Sequence, residues 1–487
     1  MMQKYLLLDR RVLNPQGMEN VQLEVTAPKK DKEHGVLFSE SEPWEMRIDN
    51  GYPNVIYDKK ENIYRCYYTL FIEDKDSEGV SKEERERRDY QPREDRVPAL
   101  AYAESEDGIC WRKPKLHLVD FRGSTENNLI FPYAHGTGVM LDEREVEEEK
   151  RYKMVTKIDQ PGHAAYMAVS FSKDGVHWKK PIRWKRFNPP ADSHNLPFWD
   201  EEKKRYCLLS RVWKDGIRIT TMSHSYDFLD WSEPIETLRG GGFERQIYAM
   251  PAFSYGNLYL GFASVIHEGD RKSSMFDRVD CELTWAVEPE HFDWVVAGQN
   301  FIERGEGTYP KGEADCGCIY ASPPVPLENG DLLFYYMGGN GKHTNFRESS
   351  LMRAFIKKDR FASYQTIKTE EEGILSTCKF KIQGEELEIL AEPIKENEKS
   401  GLSVMIASNW NKEAFSGFSF EDCVIEEGEE GWKKVSFAQN LSQLSGKDVS
   451  IRLRFYNMRV WAIKGAITLT GHRLWEGAGE EEYAIKR

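Results

Sequence analysis

The chain has 487 residues, of which 40% are hydrophobic and 12% aromatic, so it can form packed cores and is not extensively disordered. Its length exceeds what one core usually holds, and we therefore expect two domains. The formal net charge of -14, without a local basic stripe, repels phosphate backbones and anionic headgroups, so nucleic acid is not an expected partner.

The N-terminal apolar run is short. Leucines 6–8 are followed at once by Asp9, Arg10 and Arg11, which is too little for a signal sequence. No stretch approaches the roughly 18 apolar residues of a membrane helix. We expect a cytoplasmic protein without a membrane partner.

The eight cysteines contain no Cys-x-x-Cys pair. The closest pair, Cys316 and Cys318, lies in a predicted strand. We interpret the cysteines as structural thiols and predict no metal site among them.

The first predicted element is a strand over residues 5–8, within a lead-in that spans residues 1–45. Strand patterns then dominate from about residue 46 to residue 365. We expect the early strand to pair with the end of this region, because a ring of sheets that stays open exposes a strand edge.

A phrase Ser-x-Asp-x-x-x-Trp occurs three times in this region. The copies begin at Ser105, Ser172 and Ser225, and a looser copy ends at Trp294. A period of this size, built from short alternating runs, indicates a radially repeated sheet, which is a β-propeller. Two copies contain Asp-Gly, a hairpin-turn signal, so we interpret the phrase as turn and packing residues.

A second recurring phrase indicates the number of repeats. An apolar strand ends in Asp and a Tyr-rich strand follows, as in Asp58 before Tyr64 and Asp200 before Tyr206, both six residues apart. Five related strand pairs begin near residues 55, 139, 196, 252 and 325. The sequence therefore predicts an all-β fold with a five-bladed β-propeller over residues 1–365.

One charged segment interrupts the first blade. Residues 73–96 include the run Glu-Glu-Arg-Glu-Arg-Arg at positions 83–88, which is compatible with a solvated helix. A lid or a contact between subunits of an oligomer are the alternative interpretations.

The tryptophan phrase stops after about residue 366. The acidic residues 370–372 and Gly373 indicate a linker over residues 366–376. From residue 377 to residue 487 come alternating runs of five to seven residues with polar turns and no helical pattern, which predict a C-terminal β-sandwich. We interpret it as an accessory domain.

The propeller predicts where distant residues meet. Its innermost strands all run in the same sense, so their first residues surround one mouth of the axial channel, together with the loops between second and third strands. The candidates at this mouth are Asp49, Asn50, Asn54, His135, Asp192, His194, Glu244, Tyr248, Glu313 and Asp315 from the strand starts, and His163, Arg211, Trp213, Glu282, His343 and Arg347 from the loops.

Carboxylates gathered around one pocket are what glycoside hydrolysis requires. One protonated acid gives a proton to the leaving oxygen, and a second, ionised carboxylate attacks the anomeric carbon or deprotonates water. Each candidate also has a structural interpretation: Asp49 could begin a turn, Asp192 could cap a loop, and Glu282 could face solvent.

At these residues the chain resembles the five-bladed propeller glycosidases, the superfamily of glycoside hydrolase families 32, 43, 62, 68 and 130. It resembles most the bacterial proteins described as family 32-like or family 43-like. The segments that carry the resemblance are residues 6–11, 49–55, 192–195, 315–317, 335–339 before His343, and 417–419. In family 32 the nucleophile lies in Asn-Asp-Pro-Asn, whereas Asp49 here lies between Ile48 and Asn50.

The resemblance implies a glycosidase that removes a terminal sugar from a small oligosaccharide or glycoside, for example a furanoside such as a fructoside or arabinoside. It makes Asp49 the nucleophile or base, Asp192 the transition-state stabiliser and Glu282 the leading general acid. Glu244, Glu313 and Asp315 are alternative acids or site carboxylates, and the other candidates at the mouth are expected to bind the substrate. The resemblance also implies no organic cofactor, and it leaves a structural calcium ion open.

Two alternatives remain at this point. Glycoside phosphorolysis would need several cations at the pocket, which Arg211, Arg245 and Arg347 could supply. A noncatalytic carbohydrate- or protein-binding propeller would lack two carboxylates within about 5 to 10 Å of each other.

Overall fold

The computed structural model describes residues 2–368, 370–408 and 413–471. The chain divides into two compact units, one of residues 27–358 and one of residues 1–26 with 359–487. Within the described residues the only α-helix is α1 (Lys82–Arg85), and the short 3-10 helices are Arg10–Val12, Pro15–Gly17, Glu148–Lys150, Glu429–Gly431 and Leu441–Leu444. The fold is all-β.

The N-terminal strands divide between the two units. In chain order they are β1 (Gln3–Leu6), β2 (Val21–Val25), β3 (Lys29–Lys30) and β4 (Phe38–Ser39). The first two belong to the unit that contains the C-terminal region, and the other two to the unit of residues 27–358.

Three four-stranded antiparallel sheets follow, each built from strands that are consecutive in sequence. The first consists of β5 (Arg47–Asp58), β6 (Ile63–Glu73), β7 (Val97–Ser105) and β8 (Leu129–Pro132). The second consists of β9 (Ala134–Leu141), β10 (Tyr152–Ile158), β11 (Tyr166–Ser172) and β12 (Ile182–Arg183). The third consists of β13 (Pro197–Asp200), β14 (Arg205–Lys214), β15 (Ile217–Ser225) and β16 (Ile235–Arg239).

The rest of this unit forms one twelve-stranded sheet. Its strands are β17 (Arg245–Ala249), β18 (Ala252–Tyr255), β19 (Leu258–His267), β20 (Val279–Ala286), β21 (Phe292–Trp294), β22 (Asn300–Ile302), β23 (Cys318–Ala321), β24 (Val325–Pro326), β25 (Leu332–Gly339) and β26 (Ser349–Ile356), together with β3 and β4. Two antiparallel groups within it meet at a single parallel pair, Val279 opposite Cys318.

The Ser-x-Asp phrase forms the same tight turn in each copy. Ser105 donates to Asp107 Oδ1 at 2.9 Å and accepts from Gly108 N at 2.9 Å. Asp107 also accepts from the backbone amides two and three residues further on, and Asp174 and Asp227 do the same in their copies. The phrase is therefore a turn device, as the sequence predicts.

The Asp of the second phrase joins one sheet to the next. It lies at the C-terminal end of the first strand of its sheet and accepts a hydrogen bond from a tyrosine hydroxyl in the following sheet, on the strand that pairs with the first strand there. The three pairs are Asp58 with Tyr152, Asp142 with Tyr206 at 2.6 Å, and Asp200 with Tyr259 at 2.7 Å.

A cavity of about 590 Å³ lies at the C-terminal ends of the innermost strands. Its walls come from five segments, within residues 54–59, 139–144, 196–201, 252–254 and 322–326. The sequence places the repeats at the same five segments, so these strands surround a common space.

The second unit is built on a nine-stranded sheet. Besides β1 and β2 its strands are β27 (Ala362–Thr366), β28 (Gly373–Pro393), β29 (Gly401–Ala407), β30 (Cys423–Glu427), β31 (Trp432–Phe437), β32 (Asp448–Tyr456) and β33 (Met458–Gly471). The long strand β28 pairs with β31, β32 and β33. Leu375, Ile389, Leu453 and Ile463 are fully buried in its core.

The predicted pairing of the early strand is wrong. β1 pairs with β33, from Gln3 opposite Gly465 to Leu6 opposite Ala462, because Tyr5 packs in the core of the second unit, 5.0 Å from the ring of Phe380. The edge of β26 is covered by β3 and β4 instead. A four-residue apolar run identifies a strand but not its partner.

The division into units also differs from the predicted boundaries of 1–365, 366–376 and 377–487. Residues 1–26 and the strand β27 cluster with the C-terminal region. In the charged insertion 73–96, only α1 is helical. Ser81 caps it by accepting from Glu84 N at 3.2 Å, and Arg88 pairs with Asp76 at 2.9 Å.

Candidate active site

Asp49 is the third residue of β5. Arg47, which is on the same face of the strand, donates to Asp49 Oδ1 at 3.0 Å, and Arg347 donates to the same oxygen at 3.1 Å. Burial acts to raise the pKa of Asp49, but the charges of Arg347 and Arg47 outweigh burial and hold the pKa well below its usual range. With 20% of its side chain exposed, Asp49 is an ionised and accessible carboxylate.

Arg347 is held in place from several sides. Its buried guanidinium donates to Asn50 Oδ1 at 2.7 Å, to the Lys342 carbonyl at 3.2 Å and to the His343 carbonyl. Asn50 in turn donates to the Tyr52 hydroxyl at 2.8 Å. Asn50 therefore connects Arg347 to Tyr52.

Asp192 belongs to a second group of interacting side chains. It precedes β13 and makes an ion pair with Arg211 of β14. The Asp192 side chain is 39% exposed, whereas that of Arg211 is only 4% exposed. Arg211 Nε has no hydrogen-bond partner among the described residues, so this buried cation retains an unused donor.

Two tyrosines join the clusters. The Arg211 guanidinium lies 4.6 Å from the Tyr248 ring centroid, and the His343 ring lies 4.4 Å from the same ring. Burial raises the pKa of Tyr52 well above its usual value, and the charges that act on its hydroxyl include both Arg211 and Asp49. Asp49 and Asp192 therefore belong to one continuous cluster of contacts.

His343 is a neutral member of this cluster. Its Nδ1 lies 2.8 Å from the Tyr320 hydroxyl. Burial, and after it the charge of Arg347, lowers the pKa of His343 well below its usual value. The ring therefore contributes hydrogen bonding and packing rather than charge.

Several residues of this cluster were missed from the sequence. They are Arg47, Arg218 and Glu268. Arg218 lies 4.4 Å from the Trp213 ring centroid and donates to Glu268 at 2.7 Å and to Gln246 at 3.1 Å. The sequence contains one signal for Arg218. The Asp-Gly turn at residues 215–216 predicts a hairpin that puts Arg218 opposite Trp213.

Glu282, the predicted leading acid, lies in a separate ion pair. It is 1% exposed on β20, pairs with Arg245, and accepts from Gly298 N at 2.7 Å. Among the described residues no hydrogen bond or ion pair links it to the Asp49 and Asp192 cluster. Arg245, a predicted phosphate ligand, is engaged in this pair.

The alternative acids lie elsewhere. Asp315 is buried and pairs with Lys30 at 2.5 Å, and it accepts from the Tyr336 hydroxyl at 2.9 Å. Glu313 is exposed and accepts from Glu306 N. Glu244 is also exposed. None of the three makes a described contact with Asp49 or Asp192.

Asn54 and His194, predicted to bind substrate, bind each other. His194 Nε2 lies 2.9 Å from Asn54 Oδ1, and the Asn54 amide donates to the Thr137 carbonyl at 3.0 Å and the Tyr52 carbonyl at 2.9 Å. Burial lowers the pKa of His194 to about 3. These contacts fasten the innermost strands together.

The two other predicted histidines differ in exposure. His135 is half-buried, with Nδ1 3.6 Å from Asp159 and its ring 6.0 Å from that of Phe71. His163 is exposed, and its backbone amide closes a turn on Gln160. Neither contacts the Asp49 cluster in the described part of the chain.

Two carboxyl groups next to the cluster have raised pKa values. Glu40 accepts from the amides of Ile48 and Ser349, and burial raises its pKa to about 7. Ser349 also donates to the Asp49 carbonyl at 2.9 Å. Asp277, whose pKa burial also raises, accepts the His343 amide at its carbonyl. Sequence gave no signal for either, because burial of these acids depends on distant strands.

Glu40 also lines a cavity together with the two arginines that bind Asp49. A cavity of about 450 Å³ is lined by Glu40, Arg47 and Arg347. This geometry puts a carboxyl group with a pKa near neutrality beside the two cations that hold Asp49.

The cysteines are free thiols, and six of the eight are buried. Burial raises the pKa of Cys318 to about 11. Within the described ranges no group of three or more histidine, cysteine, aspartate or glutamate side chains could hold a metal ion. No helix in that part of the chain has the length and apolar character needed to cross a membrane.

No protein-family model and no curated protein matches the chain. Among solved structures it is similar to a glycosyl hydrolase from Bacteroides ovatus, with 16% identity, 69% of this chain and 95% of that chain covered, and a TM-score of 0.45. It is also similar to an N-acetylgalactosamine deacetylase from F. plautii in complex with blood group B trisaccharide (14%, 70% and 96%, 0.43). A fructofuranosidase from Schwanniomyces occidentalis complexed with fructosylnystose is a further match (10%, 91% and 100%, 0.41). These likenesses are too distant to assign the chain to a family.

Proposed function

We propose that the protein is a glycoside hydrolase whose active site is the cluster around Asp49 and Asp192. In this proposal residues 27–358 form a five-bladed propeller and the second unit is a β-sandwich. The five segments around the 590 Å³ cavity and the repeated turns support the propeller. The cluster lies at the opposite ends of the innermost strands from that cavity.

The observation that carries the proposal is the state of Asp49. It is ionised, partly exposed, and held by two arginines on one oxygen, Oδ1. A fixed anion of this kind can attack an anomeric carbon or deprotonate a water molecule, and it stabilises the positive charge of an oxocarbenium-like transition state.

Asp192 and its neighbours supply binding. Asp192 is an accessible acceptor for sugar hydroxyl groups, and Arg211 orients it. Trp213 exposes half of its surface beside Arg218, and an exposed aromatic face is suited to stacking on a sugar ring.

The general acid must be protonated near neutral pH. Glu40 meets this condition with a pKa of about 7, and it lines a cavity with Arg47 and Arg347. We therefore assign the acid to Glu40 in preference to Glu282, which is paired with Arg245 and makes no described hydrogen bond or ion pair with the Asp49 and Asp192 cluster. Glu40→Gln and Glu282→Gln test this assignment, because only the acid's variant should lose far less activity on substrates with an activated aryl leaving group.

The proposed substrates are small glycosides with a terminal sugar, furanosides such as fructosides or arabinosides first. The purified protein would be screened against aryl glycosides and oligosaccharides, with Asp49→Asn and Asp192→Asn beside Asp230→Asn, an exposed turn residue, as the control. Hydrolysis that Asp49→Asn abolishes and Asp230→Asn retains supports the proposal. Full activity of both site variants would overturn it.

Phosphorolysis is the second candidate, and one observation favours it. Arg211 and Arg218 both lie against the Tyr248 ring, at 4.6 and 5.5 Å, and two cations at one point suit a phosphate. The same screen repeated with inorganic phosphate decides between them. A sugar phosphate that forms only in its presence identifies a phosphorylase.

A further inference from the structure

A third cavity, of about 360 Å³, lies in the unit of residues 27–358. The charged insertion supplies one wall, residues 85–89. The other walls are within residues 308–317 and 340–346, with Arg278 between them. The cavity is distinct from the carboxylate cluster, because Asp49, Asp192 and Arg211 are not among its lining residues.

The charges around this cavity are mostly positive. Five basic side chains line it, Arg85, Arg87, Arg88, Arg278 and Lys342, against the two acids Glu86 and Asp89. Some of the basic groups are already neutralised, because Arg88 pairs with Asp76 and Glu84, and Arg85 lies 4.0 Å from Glu348.

Arg278 and Lys342 form no ion pair among the described residues, although the charge of Lys342 acts on the buried Asp277 carboxyl group. Arg278 donates to the Cys316 carbonyl at 3.2 Å, which fixes the guanidinium in the wall. The Lys342 ammonium lies 5.4 Å from the Phe276 ring centroid. Arg85 Nε is buried and also has no hydrogen-bond partner there.

We propose that this cavity binds the oxyanion group of a small acidic solute, a carboxylate or a phosphate carried by a sugar. Two cations that form no described ion pair, in the wall of a concave space, attract an anion, and the partly desolvated walls strengthen that attraction. The aromatic ring of Tyr309 lines the same space and suits a sugar ring. The site does not depend on the proposed hydrolase activity.

The cavity is nevertheless next to the carboxylate cluster. Asn345, a wall residue, accepts a hydrogen bond from Arg47 at 2.9 Å, and Arg47 holds Asp49. A bound anion would therefore be separated from Asp49 by two residues, Asn345 and Arg47.

The test is calorimetric titration of the full chain at low salt with inorganic phosphate, glucuronate and neutral glucose. We expect saturable binding of phosphate or glucuronate, with a dissociation constant of about 1 mM, and none of glucose. Binding of phosphate alone identifies a phosphate site, and binding of glucuronate alone identifies a carboxylate site.

Variants locate the anion. Lys342→Glu should weaken binding at least about tenfold, because it replaces an attraction by a repulsion. Lys173→Glu, at an exposed lysine in the turn after β11, should leave binding unchanged. Arg278→Ala is the second test, and Arg211→Ala should retain binding. Absence of saturable binding, equal binding by Lys342→Glu and the unsubstituted protein, or loss of binding in Arg211→Ala alone would overturn the proposal.

Discussion

The strand β5 carries an ionised aspartate near each end, and the two differ in what surrounds them. Asp58, at the C-terminal end, is fully buried and pairs with Arg151 at 2.5 Å. Burial acts to raise its pKa, but hydrogen bonds from Arg151 and Tyr152 lower it to about 2. Asp49, at the other end, is held by two arginines and remains partly exposed. A lowered pKa by itself does not distinguish the two.

Repetition does distinguish them. The aspartate–tyrosine bond of Asp58 recurs at Asp142 and Asp200, so each sheet uses it to join the next. The contacts of Asp49 do not recur, since Asp192 in the nearly equivalent place pairs with Arg211 alone. A side chain whose contacts recur in each sheet serves the fold. A side chain whose contacts differ from those of its equivalents, and which stays accessible, is a candidate for function.

The largest expected effect is the loss of activity on substitution of Asp49, at the exposed end of β5. Asp49→Asn removes the anion from the proposed mechanism, and we expect kcat to fall about a thousandfold. The melting temperature should fall as well, because the buried Arg47 and Arg347 lose the anion that they share, so kcat is compared at a temperature where both proteins are folded. Steady-state kinetics on whichever glycoside the protein hydrolyses, with thermal unfolding in parallel, measures both. A variant that loses stability but keeps its kcat would reverse the comparison.

Substitution of Asp58, at the buried end of β5, should lower stability and leave kcat unchanged. Asp58→Asn leaves Arg151 without its anion, and we expect the free energy of unfolding to fall by about 3 kcal/mol, as measured by urea denaturation. The kcat of the folded fraction should stay close to that of the unsubstituted protein. Tyr152→Phe, which removes only the hydroxyl, is the matched variant and should cost about half as much.

The buried histidine gives a pH test. The pKa of His194 is lowered to about 3 by burial, so below pH 6.5 the unfolded chain binds a proton that the folded chain does not. The stability that neutral His194 provides is present above pH 6.5 and is lost as the pH falls toward 3.

His194→Gln keeps a hydrogen-bond donor and cannot titrate. Its disadvantage in unfolding free energy, relative to the unsubstituted protein, should shrink by about 2 kcal/mol between pH 7 and pH 5. His163→Gln, at an exposed position, should follow the unsubstituted protein. A difference that stays constant with pH would mean that His194 titrates normally and is open to solvent and ligand.

The smallest expected effect concerns binding. Trp213 is 51% exposed, so Trp213→Ala should leave stability nearly unchanged. Loss of ring stacking should raise KM about fivefold with little change in kcat. Tyr226→Ala, at an exposed tyrosine of the same sheet, is the control. Equal effects of the two substitutions would remove Trp213 from the binding surface.

The sequence by itself determined the repeated part of the molecule. Ser105 with Asp107 and Asp58 with a following tyrosine are local phrases, and local phrases form turns and strand ends in the same way wherever they occur. The all-β class and the positions of the innermost strands followed from them. For the cluster formed by Asp49, Arg347, Arg211 and Asp192, the sequence predicted only that these residues lie at one mouth of the channel.

Only the tertiary structure decided which residues become partners. It paired β1 with β33, joined His194 to Asn54, put Asp315 with Lys30, and put Glu40 beside Ser349. These contacts join residues that are more than a hundred positions apart. The pKa and the exposure of a side chain depend on its neighbours in space, and spacing along the chain does not contain that information.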